Sequence, residues 1–322
     1  MNAILQCFSN IKGLRLQLLN EEIYQDLENN KNSTKKLSFA LADILKNLWE
    51  KKAIRFYTPE YFNNLISEMN PLFKGKETND PQDLISFILE ETHKELNNPQ
   101  IFFINNNFVE NKNFIDVFND FSNYYFSKNK SIISDEFYGF KNSMITCGLC
   151  QIPIHNVQSY NILSFHLEEI RQYKGYNFNN VNIYDCFDYY EKEVICPSFY
   201  CNYCKQNCQA FQYSKLLYAP KTLIINLNRG KEIEFNINII FEEYLNLRNY
   251  IFFRDSPFYY ELTGVICQLD SNDMGGHFIA FCKNSNNCEW YKYDDQNVTK
   301  SSFNEVRQNA LPYILFYSYI EA

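Results

Sequence analysis

Glycine is scarce in this sequence, with 9 in 322 residues, and histidine is scarcer, with 4. The scarcity makes any clustering informative, because a glycine-poor chain places its backbone freedom selectively. Basic charge is also short: 30 Lys and Arg stand against 38 Asp and Glu, for a net charge of −8 and a pI near 5.2. That balance argues against the clustered basic footprint of a nucleic-acid binder and favours a neutral or basic partner. No apolar run approaches the roughly 18 residues of a membrane span, so no membrane role is expected. The start "MNAILQCFSNI" lacks the basic region and small-residue cleavage site of a secretory leader. No repeat of fixed period is visible.

What is present is apolar and aromatic residues, 46% and 17% of the chain. A chain of this size and composition buries a sizeable core, as one large domain or two to three lobes. These features place it inside the cell, in cytoplasm or nucleus. In that compartment 11 cysteines are poorly explained by disulfides, so their spacing is read for metal or catalysis.

The first third reads as a helical lobe. In "LSFALADILKNLW", Leu37, Leu41, Ile44, Leu45 and Leu48 share one face. Thr58 before Pro59 and Asp80 before Pro81 each predict a capped helix start with proline in the first turn. Leu84, Phe87, Ile88 and Leu96 continue the second of these helices. Residues 97–140, Asn-rich and aromatic without a clean period, read as a connector. After Cys147 short β-rich runs dominate, among them "KTLIINLN", "FNINII", "YYELTGVICQL", "HFIAFCK", "WYKYDD" and "PYILFYSYI", which predicts a mostly antiparallel second half.

Two CxxC pairs stand out. Cys147 with Cys150 and Cys201 with Cys204 each let a tight turn aim two sulfurs at one ion, and together they form a four-thiolate set suited to structural Zn²⁺. Cys150 and Cys201 are 51 positions apart, so the chain between them must form its own excursion, closed by metal at the tip of a β-hairpin pair. Buried free cysteines in turns are the alternative. Cys196 and Cys208, near the second pair but without CxxC partners, read as ordinary residues. His93, His155 and His166 have no such spacing partner either.

Gly275 and Gly276, side by side before His277, would let a ligand's backbone pass close by. His277 begins a predicted strand, and "WYKYDD" returns antiparallel after the polar "NSNN", bringing Asp294 toward His277. Such a pair orients an imidazole as a general base; a structural histidine at a strand end is the bland alternative.

These segments resemble the ubiquitin-specific proteases. "GGHFIAF" followed by "EWYKYDDQNVT" is similar to that family's histidine box, and "MNAILQCFSNI" to the end of its cysteine box. "QDLISFILEETHKEL" looks like its Gln-Asp helix, "CGLC" and "FYCNYC" like its zinc-finger ribs, "APKTLIINLNRG" and "LPYILFYSY" like its later strands. The resemblance implies an α+β fold of papain-like, right-hand architecture. A helical thumb would occupy residues 1–140, zinc-tipped fingers 141–220 and a β-rich palm 221–322. It implies thiol hydrolysis of isopeptide bonds after ubiquitin's C-terminal glycine, by a monomer acting on ubiquitin or ubiquitinated proteins. His277 would be the general base, Asp294 its orienting partner and Asp295 a neighbour organising the oxyanion site. Cys147, Cys150, Cys201 and Cys204 would hold zinc. Gly275 and Gly276 would border a slot for ubiquitin's Gly-Gly tail, and Gln82 and Asp83 would help hold the thumb near the site.

The family pattern puts its nucleophilic cysteine two residues ahead of the position of Met1. Cys7 falls on an apolar helical face with Ile4, Leu5, Phe8 and Ile11, and reads as core. Cys282, five residues past His277, points to the other face of its strand. The expectation is therefore a chain that binds ubiquitin without cleaving it, either a truncated copy of an active enzyme or a Cys-less paralogue acting as scaffold or decoy. A zinc-stabilised interaction domain unrelated to ubiquitin is a third reading.

Overall fold

The computed structural model describes residues 1–49, 57–75, 79–99, 114–175, 180–229, 237–269, 277–308 and 311–320. Among the described residues eight α-helices come first: α1 (Asn2–Asn10), α2 (Lys12–Leu18), α3 (Glu21–Asn30), α4 (Lys36–Trp49), α5 (Glu60–Met69), α6 (Pro81–Leu96), α7 (Phe114–Lys128) and α8 (Ile132–Phe137). Asp80 caps α6 as expected, its side chain accepting the Gln82 amide at 2.8 Å with Pro81 in the first turn. At α5 the expected cap shifts by one residue: Pro59, not Thr58, is the N-cap, and no side chain caps the helix.

The expected connector over 97–140 holds two helices among its described residues, α7 and α8. The period was present but masked by interleaved aromatics. Phe118, Phe121 and Tyr125 follow helical spacing and pack edge-on against Phe140, with centroids 5.8, 5.7 and 5.3 Å away. A capping box at Ser131 and Ser134 then starts α8.

The next stretch alternates: β1 (Gly139–Cys147), β2 (Pro153–Tyr160), β3 (Ile162–His166), α9 (Leu167–Lys174), β4 (Asn180–Asn182), α10 (Ile183–Tyr190), β5 (Val194–Cys201) and β6 (Gln206–Tyr218). Strands β2-β1-β6-β5 form a four-stranded antiparallel sheet, the fingers. Segment 162–190 lies between its strands in sequence but not in space, because β3 joins the larger sheet instead.

The chain closes with β7 (Thr222–Asn228), β8 (Asn238–Ile240), β9 (Tyr244–Asn246), β10 (Tyr259–Leu269), β11 (His277–Lys283), β12 (Trp290–Asp294), β13 (Asn297–Ser301), α11 (Phe303–Gln308) and β14 (Leu311–Tyr319). The palm sheet runs β13-β12-β11-β10-β14-β7-β3, with β9 alongside β10; β3 pairs β7 in parallel and the other pairings are antiparallel. Its central strands are apolar on both faces because both are covered. Ile224, Ile266, Ala280, Ile314 and Phe316 face the thumb helices, while Leu223, Ile225, Val265, Leu315 and Tyr317 face a second core with α9 and α10. The alternation 314, 315, 316, 317 is the period of two that a strand imposes. Among the described residues no helix is long and apolar enough to cross a membrane.

Candidate active site and metal centre

The site begins with α1, held by its apolar face. Phe8 is fully buried between Phe137 of α8 and Phe316 of β14, at centroid distances of 6.2 Å to each. Cys7 is buried on the same face, its sulfur 3.8 Å from Cys282 of β11 and its thiol pushed well up by burial, as suits a core residue. So anchored, α1 lays its first turn against the end of β11, where Met1, Asn2 and Ala3 line the same cleft as His277.

Strand alternation divides the roles on β11 and β12. Phe278, Ala280 and Cys282 turn toward the thumb core, as does Tyr293, which pairs with Ala280. His277 and Asp294 occupy alternate positions and meet one another instead: His277 Nε2 lies 2.8 Å from Asp294 Oδ1. The Asp294 carboxyl sits below its ordinary range, chiefly through this hydrogen bond, with Lys292 Nζ 3.5 Å away adding to the effect. Because Nε2 is engaged, Nδ1 is the ring atom left for proton transfer. Both side chains keep about a third of their surface in solvent, so they remain reachable by substrate.

Asp295 is placed by the β12–β13 hairpin. Asp294 pairs with Asn297 across a two-residue turn, and Asp295 adopts φ +50°, the left-handed region that short hairpin turns demand. Its carbonyl accepts a hydrogen bond from Asn2 Nδ2 at 3.2 Å, so the turn is tied to the first turn of α1. Sequence reasoning missed Asn2; only the register of β12 against β11 brings it to Asp295. The cleft is 290 Å³, with Asp80, Pro81 and Leu84 of the thumb opposite His277 and Phe278 of the palm. No cysteine lines it among the described residues. Gly275 and Gly276 lie outside the described residues.

Gln82 sits where its helix crosses from thumb to palm. Its Oε1 accepts Asn226 Nδ2 of β7 and, at 3.4 Å, Ser164 Oγ of β3. One residue before α6, Asp80 Oδ2 accepts Tyr313 OH of β14 at 2.8 Å. Burial, with Asp80 nearby, raises the Asp83 carboxyl above its ordinary range. His93 is spent on structure, its Nδ1 2.7 Å from Ser131 Oγ at the start of α8.

At the far end of the fingers the two CxxC turns face each other. In each a backbone N–H of the turn donates to the first sulfur: Leu149 N–H, two residues on, to Cys147 Sγ and Cys204 N–H, three residues on, to Cys201 Sγ, both at 3.4 Å. Gln151 N–H and Lys205 N–H close the turns on the Cys147 and Cys201 carbonyls at 2.9 and 2.8 Å. Gln151 and Lys205 take φ +58° and +55° as the chain leaves each turn. The four sulfurs lie within 4.8 Å of one another. A tetrahedral ion with bonds of about 2.3 Å requires sulfur–sulfur edges of about 3.8 Å. Cys147–Cys204 and Cys150–Cys201 are each 3.8 Å apart, so the donor set fits Zn²⁺. Backbone N–H groups of the turn, that of Cys150 foremost, lower the Cys147 thiol to about 6, which prepares the thiolate that zinc takes.

Comparison with known proteins supplies the family. The ubiquitin carboxyl-terminal hydrolase profile matches residues 1–317. The chain belongs to the ubiquitin carboxyl-terminal hydrolase family. It is of the ubiquitin-specific protease type, and is 26% identical to ubiquitin carboxyl-terminal hydrolase 2 of Homo sapiens over 98% of this chain and 53% of that protein. Identity to ubiquitin carboxyl-terminal hydrolase 21 of Bos taurus is 24%, over 100% of this chain and 60% of the relative. The chain thus spans a little over half the length of these curated relatives. Among solved structures, the SAGA DUB module of Ubp8, Sgf11, Sus1 and Sgf73 bound to monoubiquitin matches with TM-score 0.73 at 23% identity, over 100% of this chain and 67% of that one. The same module bound to ubiquitin aldehyde gives 0.71 at 22%, with the same coverage. These structural likenesses establish the fold, the right-hand α+β architecture expected from the sequence.

Proposed function

We propose that this hydrolase acts by thiol catalysis on isopeptide bonds after ubiquitin's C-terminal glycine, and that residues 1–322 supply every part of that machinery except the nucleophile. The observation that carries the reading is the His277–Asp294 pair, 2.8 Å apart, at the cleft that the first turn of α1 enters. A thiol held just ahead of α1 meets the positive end of a nine-residue helix, which favours the thiolate. His277 Nδ1 takes the thiol proton and returns it to the departing lysine amine. Asp294 fixes the ring and stabilises the imidazolium. Asp295, held by Asn2, organises the oxyanion side. The ubiquitin tail runs through the cleft between α6 and β11. Cys147, Cys150, Cys201 and Cys204 would hold a structural Zn²⁺, which would close the fingers that contact the body of ubiquitin. The protein works in cytoplasm or nucleus, where thiols stay reduced.

Residues 1–322 alone bind ubiquitin without hydrolysing it, since no cysteine lines the cleft among the described residues. That same observation favours the second reading, a non-catalytic ubiquitin scaffold or decoy. Titration with ubiquitin tests binding, and one ubiquitin per chain is expected. Extending the chain ahead of Met1 with Cys-Tyr should then confer thiol-dependent hydrolysis of a ubiquitin ester or amide, abolished by His277→Ala. Binding without activity in the extended chain favours the scaffold; turnover by residues 1–322 themselves refutes the nucleophile assignment.

A further inference from the structure

Cys208, which the spacing rule passes over, lies at the start of β6 beside the four-thiol set. Its sulfur is 3.3 Å from Cys147 Sγ, closer than the 3.8 Å separating Cys147 from Cys204 and Cys150 from Cys201. That separation is too short for two sulfurs on one tetrahedral ion, whose edges are about 3.8 Å. Nor does Cys208 belong to the group of four whose sulfurs all lie within 4.8 Å. It is therefore a fifth thiol in contact with one corner of the tetrahedron from outside. The strands account for the contact. Cys147 ends β1 opposite Ala210, and Cys208 stands two residues along β6 on the same side of the strand. Cys196, also on this sheet, turns instead to Gln212 Oε1 at 3.8 Å.

We propose that Cys208 is the oxidation site of the fingers and Cys147 its resolving partner, so that peroxide closes a Cys147–Cys208 disulfide and removes one ligand from the zinc set. Cys147 is fully buried while Cys208 keeps part of its surface in solvent, so oxidant arrives from the Cys208 side. The Cys208 thiol passes its proton to the Cys147 thiolate 3.3 Å away, the Cys208 thiolate so formed attacks hydrogen peroxide, the O–O bond breaks, the leaving hydroxide takes that proton back from Cys147 to become water, and Cys208 becomes a sulfenic acid. The adjacent Cys147 thiolate attacks that sulfur, the S–O bond breaks, and hydroxide departs as water after taking a proton. Two thiol groups are oxidised by two electrons and one peroxide is reduced to two waters. Three sulfurs remain for the metal, which is too few to close the tetrahedron.

The inference is independent of ubiquitin hydrolysis and is tested on zinc and sulfur directly. Reduced wild-type chain and Cys208→Ser should each carry one zinc; loss of zinc from the reduced variant would make Cys208 a ligand and overturn the proposal. With peroxide, peptide mapping of the wild type should find Cys147–Cys208 as the first disulfide, formed in step with zinc release to a chromogenic chelator. Release from Cys208→Ser should be slower by about ten-fold, while Cys196→Ser should release zinc at the wild-type rate. A first disulfide joining two of the four ligands, or equal release with and without Cys208, refutes it. The wild-type disulfide map decides the matter even where the variant folds poorly.

Discussion

Chelating the metal should melt the tip of the fingers and leave the palm intact. Over residues 141–159 and 194–215, the buried side chains are Asn142, Cys147, Cys201 and Ala210, and two of these four are the thiols. Strand β5 is exposed or half-buried at every position but Cys201, with Ile195 and Tyr200 more than half exposed. Burying Ala210 contributes only about 1 kcal/mol. A structural four-thiolate zinc contributes on the order of 10–16 kcal/mol of apparent binding free energy. Even if only ~4 kcal/mol of that appears as resistance to local opening, amide protection falls about a thousand-fold when zinc leaves, at 1.4 kcal/mol per ten-fold. Hydrogen exchange by mass spectrometry, with and without chelator, reads this on peptides covering Val194–Cys201 and Met144–Cys150. Peptides from Leu262–Leu269 and Leu311–Tyr319, between the two cores of the palm, are the internal control. Unchanged protection of β5 in demonstrably metal-free protein would refute the reasoning, because the strand would then be held by something other than the ion.

Two further outcomes follow from single side chains. In the chain extended by a nucleophile, Asp294→Asn should lower kcat by roughly two to four powers of ten with little change in ubiquitin binding, because it removes the anion from His277 Nε2 while keeping the shape; an unchanged kcat would mean another group orients the ring. Glu136 of α8 is buried and accepts Thr222 Oγ1 at 2.6 Å, and burial raises its carboxyl above the ordinary value. The folded state then binds this proton more tightly than the unfolded chain. Stability therefore falls as pH rises from about 4.3 through the raised folded value, and stays lower above it. Glu136→Gln should flatten that slope and raise the urea midpoint at neutral pH; an identical slope in the variant would sink the assignment.

Much of the candidate site's geometry was legible in sequence because it sits in short local patterns. CxxC turns carry their own geometry, and both close through hydrogen bonds within five residues. The strand–turn–strand from His277 to Asp294 is a local unit with a polar turn at its middle, so antiparallel return was enough to predict that the pair meet. The apolar runs of β7, β10 and β14 announced strands, though not that each face would meet a different core. What the sequence could not decide were contacts between residues far apart whose types are unremarkable. Asn2 on the Asp295 carbonyl spans 293 positions, and Gln82 with Asn226 spans 144. Helix α7 escaped notice because aromatics around it blur its period, and the face that matters is defined by distant residues, Phe140, Leu217 and Phe253. Cys208 is the clearest case. Its spacing matches no ligand motif, and only the pairing of β1 with β6 sets its sulfur against Cys147. Local turn and strand geometry is encoded within a few residues, whereas the sheet register that joins distant side chains is fixed by burial of whole faces, which only the folded chain provides.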